Sequence, residues 1–189
     1  MPARRARAAT WAIIGPAARR TAPTMPPHDP VETVQALYEA FRALDGARME
    51  QCYAEDACFD DPVFSVRGRA RIGGLWRMLC EGAIRQGRAD WRLDYGDIVV
   101  EGRKGCAHWE PKYRFGATGR RVHNLIDASF HFDGQGLILA HRDDFDLYRW
   151  GCQALGAKGR LLGWMPWFRT QLRAQAARRL EAWLAQPRL

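Results

Sequence analysis

Apolar positions recur every three or four residues from Val31 to Leu44 and every second residue from Trp91 to Phe132, so the chain changes period part-way along. Val31, Val34, Leu37, Tyr38, Phe41 and Leu44 form one stripe of a helix. Asp29, Pro30 and Glu32 suit its start: an aspartate to cap, a proline where no N–H is needed, a glutamate in the first turn. Gly46 is placed to end it. Met49, Cys52 and Tyr53 suggest a second, short helix leading into Ala54-Glu55-Asp56-Ala57, with the first strand after it. Beyond Gly68 a third helix sets Ile72, Leu75, Trp76 and Leu79 on one face, and Gly73 and Gly74 either weaken it or admit a close neighbour.

From Asp90 the period is two. Trp91, Leu93 and Tyr95 alternate, Ile98-Val99-Val100 continues, and Glu101-Gly102-Arg103-Lys104-Gly105 is a hairpin turn. Ala107, Trp109, Tyr113 and Phe115 then alternate against Cys106, His108, Glu110, Lys112 and Arg114, with Pro111 implying a bulge or an edge. After Thr118-Gly119, Val122, Asn124, Ile126, Ala128, Phe130 and Phe132 alternate against His123, Leu125, Asp127, Ser129 and His131, and a last strand runs from Leu137 to Phe145. Helices first and a long meander afterwards predict an α+β fold: a cone-shaped roll whose curved antiparallel sheet is covered on one face by three helices. The expected division is an N-terminal extension over 1–28, the domain over 29–150, and a helical extension over 151–189 carrying an extra amphipathic helix.

The formal charge of +8 changes this picture little once it is placed. Residues 1–24 carry +5 and residues 156–189 carry +6, so the body between them is mildly acidic and offers no basic groove for nucleic acid. Five scattered cysteines without a Cys-x-x-Cys pair speak against a disulfide framework or a zinc site and for a reducing, cytoplasmic setting. No histidine pair has ligand spacing, so neither a metal nor another cofactor is expected. The first 24 residues read as disordered, or as lying upstream of a start at Met25; the run Trp11-Ala12-Ile13-Ile14 is too short to span a bilayer. Near the other end Phe168, Leu172, Ala176, Leu180 and Trp183 make a stripe on a basic helix. Packing within the protein or across a dimer is the first expectation for it, and peripheral contact of residues 157–189 with an anionic membrane the second.

Candidate chemistry centres on Phe59-Asp60-Asp61-Pro62-Val63-Phe64, where two acids stand between aromatic residues as helix gives way to sheet. Asp61, Glu110, Asp127 and Asp143, with His108 and His141, converge if the strands pair as a meander, and carboxyl groups sharing an apolar cavity titrate apart, so that one gives a proton while another takes one. Tyr38, Phe41, Trp76 and Trp109 would wall that cavity, which suits a flat, apolar, cyclic ligand.

The helix bearing Tyr38-Glu39-Ala40-Phe41, then Tyr53-Ala54-Glu55-Asp56-Ala57, then Asp61-Pro62-Val63, resembles in its order the nuclear transport factor 2-like superfamily over roughly residues 30–150. Ketosteroid isomerases, SnoaL-like polyketide cyclases, scytalone dehydratase and limonene epoxide hydrolase belong to that superfamily. The resemblance implies a homodimer and a general base at Asp61. The place of the isomerases' oxyanion-hole tyrosine is taken by Leu37, with Tyr38 next to it, and that of their protonated aspartate by Ala128. His141-Arg142-Asp143-Asp144-Phe145-Asp146 looks like the last strand of limonene epoxide hydrolase, which implies a catalytic role for Asp143, with His108-Trp109-Glu110 standing where that family has Arg-x-Asp. Two functions follow as expectations. One is an enzyme of isomerase, cyclase, dehydratase or epoxide hydrolase type using Asp61, Asp143, His108 and Glu110, with Tyr38, Phe41, Trp76, Trp109, Asp127 and His141 holding the substrate. The other is a non-catalytic ligand-binding or protein-interaction domain of the same fold.

Overall fold

The computed structural model describes residues 28–162 and 165–186, so the N-terminal extension as far as residue 27, both candidate starts included, and residues 163–164 of the C-terminal segment lie outside the described residues. Helix α1 (Pro30–Arg42) starts as its sequence dictates: Asp29 Oδ1 accepts the Val31 N–H at 2.8 Å and Pro30 takes the first turn. Its stripe, Val34, Leu37, Tyr38 and Phe41, is buried. The helix ends before Gly46, and the left-handed position after it falls to Leu44 at φ 60°. Gly46 instead opens α2 (Gly46–Gln51) against α3 (Arg69–Gly87), where a Cβ would stand 2.7 Å from the Arg77 backbone. Gly46→Ala therefore has to push two helices apart, and it is expected to lower unfolding stability by about 1–3 kcal/mol in a urea titration.

The seven strands among the described residues are β1 (Tyr53–Asp60), β2 (Ser65–Arg67), β3 (Arg92–Glu101), β4 (Lys104–Arg114), β5 (Arg121–His123), β6 (Ile126–Phe132) and β7 (Ile138–Asp144). They pair in the order β2-β1-β7-β6-β4-β3, with β5 also on β4. All pairs are antiparallel except β1 with β7, which run parallel and so make the sheet mixed. Strand β1 begins at Tyr53, inside the segment whose composition suggested a helix end. The sheet curls around a core in which Phe41 meets Trp76 at 5.2 Å and Trp109 at 5.7 Å between ring centroids.

Pro111 sits where β4 exchanges partners. Residues 104–109 pair with β6 and 112–114 with β5, so the N–H that proline lacks falls opposite the break between those strands. The break turns Asn124 inward, its N–H bonded to the Pro111 carbonyl at 3.1 Å.

Helices α4 (Leu147–Leu155), α5 (Ala157–Leu162) and α6 (Pro166–Leu184) follow the sheet. Asp146 caps α4 through the Arg149 N–H at 2.9 Å. Helix α6 lies against α3: Leu180 and Trp183 join the main core, Trp183 Nε1 donates to Glu81 at 3.0 Å, and Arg71 pairs with Glu181. The close approaches that Gly73 and Gly74 invite are made by Glu50 and Leu184 respectively.

Candidate active site

Between the concave face of the sheet and the helices lies a cavity of about 630 Å³. Phe41, Phe59, Trp76 and Trp109 wall its deep end, and Asp61 and Asp143 are the acids among its described lining residues. Each acid is held by a separate device.

Asp61 belongs to a tight turn between β1 and β2. Pro62 fixes φ there, Asp61 Oδ1 accepts the N–H groups of Val63 and Phe64, both at 2.5 Å, and the Asp61 N–H bonds the Phe64 carbonyl at 2.9 Å. From α6, Arg173 donates to the carbonyls of Asp61 at 2.7 Å and Pro62 at 3.0 Å, fixing the turn from its other side. Burial pushes the carboxyl of Asp61 up to about 7, against the pull of the two N–H groups, and the Asp143 carboxylate adds to the push.

Asp143 is buried on β7 at the end of a polar chain. Its Oδ1 accepts Trp109 Nε1–H at 3.2 Å and lies 3.0 Å from His141 Nε2, while His141 Nδ1 lies 2.8 Å from Tyr53 Oη, which accepts Trp76 Nε1–H at 3.1 Å. With Asp143 as an accept-only carboxylate facing a neutral imidazole, Nε2–H donates to Asp143, Nδ1 accepts, and Tyr53, which already accepts the Trp76 indole N–H, gives its proton to Nδ1. Burial, with Asp143 nearby, holds the Tyr53 phenol well above its ordinary range, so it remains a donor.

The candidate groups divide between the two faces of the sheet. Asp61, Asp143, Phe41, Trp76 and Trp109 line the cavity, and His141 stands behind Asp143 rather than on the wall. His108, Glu110 and Asp127 lie on the opposite face: His108 Nδ1 is 2.8 Å from Asp127, His108 Nε2 is 3.4 Å from Glu110, and Glu110 is 2.6 Å from His123 Nε2. The six groups thus do not converge, because in a strand His108 and Glu110 point away from Trp109 between them. The Asp127 hydrogen bond raises the His108 pKa, and the His123 hydrogen bond lowers that of Glu110.

Tyr38 is walled off from the cavity, stacked on Tyr95 at 5.1 Å, and its buried hydroxyl has no hydrogen-bond partner among the described residues. Removing that hydroxyl deletes a desolvated, unpaired group, so Tyr38→Phe is expected to leave stability unchanged or raise it by up to about 1 kcal/mol, read from the urea midpoint.

Two lining residues were passed over in the sequence. Asn124 is buried, and its side-chain amide, at the cavity, has no protein hydrogen bond among the described residues; its signal was an amide in an otherwise apolar inward set. Tyr113 Oη accepts Trp150 Nε1–H at 2.9 Å, which leaves its own proton to give, and burial pushes the phenol up to about 12. No group of three or more His, Cys, Asp or Glu is gathered for a metal ion among the described residues, and no described helix is long and apolar enough to cross a membrane.

The profile of the SnoaL-like domain family matches residues 34–141. The chain belongs to that family. Within the nuclear transport factor 2-like superfamily, solved structures similar to this SnoaL-like protein include an LEH-like epoxide hydrolase of M. tuberculosis, 22% identical with a TM-score of 0.54, covering 71% of this chain and 95% of that one. A candidate polyketide cyclase of Pseudomonas putida is 22% identical with a TM-score of 0.53, covering 67% and 98%. A protein with a ketosteroid isomerase-like fold from Catenulispora acidiphila, in complex with trimethylamine, is 15% identical with a TM-score of 0.54, covering 65% and 92%. At these identities the likeness establishes the fold. No curated protein matches the sequence significantly.

Proposed function

We propose that this SnoaL-like protein is an enzyme that relocates protons on a small, largely apolar cyclic molecule, with Asp61 and Asp143 as its catalytic carboxyl groups. The observation that carries this reading is the placement of both on the wall of one aromatic cavity. Each ties Oδ1 to protein donors, and neither Oδ2 has a protein hydrogen bond among the described residues. A cavity of about 630 Å³ is of ligand size, and its apolar wall excludes the water that would compete for the protons.

The roles follow from the surroundings. Asp61, held near 7, keeps its proton into the neutral range and gives it to a developing oxyanion, which Tyr113 and Asn124 are placed to meet with further donors. Asp143, steadied by Trp109 and His141, takes a proton from carbon or from water. Isomerisation, cyclisation, dehydration and epoxide opening all need such a pair. With Asp61 as the acid, the rate falls as pH rises through about 7.

Asp61→Asn and Asp143→Asn are each expected to lower turnover by about 10²–10⁴-fold, measured on a panel of cyclic ketones, epoxides and polyketide mimics. Unchanged rates in both variants would remove the catalytic reading and leave a ligand-binding domain.

A further inference from the structure

The cavity's outer end differs in kind from its deep end. Helix α6 presents two rows to it, each stepping by four residues: Phe168, Leu172 and Ala176 in one, Gln171, Gln175 and Arg179 in the other. Eight residues of helix span about 12 Å, so the second row is a polar rail of that length along an otherwise apolar wall. Its three side chains are exposed at the mouth, and among the described residues none has a protein hydrogen bond or ion pair. The last turns of α3 add Arg85, held only by an exposed contact to Glu81 at 3.4 Å, and Gln86. Beside them, a Cβ built on Gly82 would meet no atom within 4 Å, so the space there is open.

Charge is therefore ordered along the cavity, with buried Asp143 among the aromatic residues and, at the mouth, Arg179, which is unpaired among the described residues, beside Arg85, which shares Glu81. A molecule with an anionic group is repelled from Asp143 and drawn to Arg179, while its apolar part is favoured among Phe59, Trp76 and Trp109. Guanidinium groups recognise carboxylate through paired N–H donors, and the amides of Gln171 and Gln175 offer hydrogen bonds on the way.

We infer that the substrate is an amphiphile: a flat ring system filling the aromatic end, joined to a flexible arm whose terminal carboxylate lies along Gln171, Gln175 and Arg179. This names the substrate class of the proposed catalytic cavity and rests on that reading.

The test needs no turnover. Binding of 4-(1-pyrenyl)butanoate and of its methyl ester to the full chain is measured by fluorescence titration at low salt. The acid is expected to bind about fivefold more tightly than the ester. The Arg85→Ala/Arg179→Ala double variant removes that preference while ester binding stays as it was. Gly82→Phe fills the open space without a backbone clash and weakens both ligands at least tenfold, with an unchanged melting temperature. Equal affinities for acid and ester, a preference that survives the double variant, or binding of neither ligand overturns the inference. Loss of turnover in the Asp61 and Asp143 variants alongside any of those results would leave the catalytic reading standing and this one refuted.

Discussion

Asp61→Asn is expected to make the protein more stable at pH 8, by up to about 4 kcal/mol, in the same variant that loses turnover. In the folded protein the carboxyl is held near 7 against 3.8 for a free aspartate. Below about pH 4 both states carry the proton and Asp61 contributes no penalty. As pH rises from there the unfolded chain ionises first, so the folded state loses ground up to about pH 7, above which the deficit is constant. Asparagine removes the titration but keeps a carbonyl oxygen for the N–H groups of Val63 and Phe64, so the turn survives. Urea unfolding at pH 5 and pH 8 checks the sign: the gain should be present at pH 8 and much smaller at pH 5. An equal gain at both, or a loss at pH 8, would show that Asp61 is not strained by burial. A group that costs stability where it stands is also the pattern of a site kept for chemistry.

His141→Ala should be the most damaging single change in the polar chain behind the cavity, lowering stability by about 3–5 kcal/mol. The ring is 2% exposed and packed against Phe130 at 4.5 Å and Phe59 at 5.0 Å between centroids, so its loss leaves a void. It also strips one donor from Asp143 and the acceptor from Tyr53. A double-mutant cycle with Asp143→Asn separates these contributions. Coupling near 1 kcal/mol or more marks the His141–Asp143 bond, whereas strict additivity would reduce His141 to packing. As a positioning residue, His141 should also affect kcat more than KM, a split that a void alone does not produce.

The fold was legible where a period persists. The stripe of α1 and the alternation of β4 and β6 state their own geometry, and Asp61 stands out because an acid between aromatic residues is costly to bury. Tyr53 to Ala57 has the composition of a helix end, yet it is part of β1, which far-off β7 anchors at Tyr53 and again from Cys58 to Asp60 across a register shift. Parallel pairing across some eighty residues leaves no local trace, and the Tyr53–His141 bond is hidden for the same reason. For His108, Glu110 and Asp127 the signal is present: a period of two opposes them to Trp109 and Ala128, so titratable side chains alone do not place them in the site. The second face of α6 went unread because a stripe of Phe168, Leu172 and Ala176 signals burial, while the row of Gln171, Gln175 and Arg179 beside it looks like any solvated surface.

The family match ends at residue 141, two residues before the second acid, and α6 lies wholly outside it. Most of the aromatic wall, with the α3 side of the mouth, is thus written in one stretch of chain and the α6 side of the mouth in another. Exchanging residues 165–186 for another helix that keeps Arg173, Leu180 and Trp183 would change which molecules the cavity admits while leaving its acids where they are.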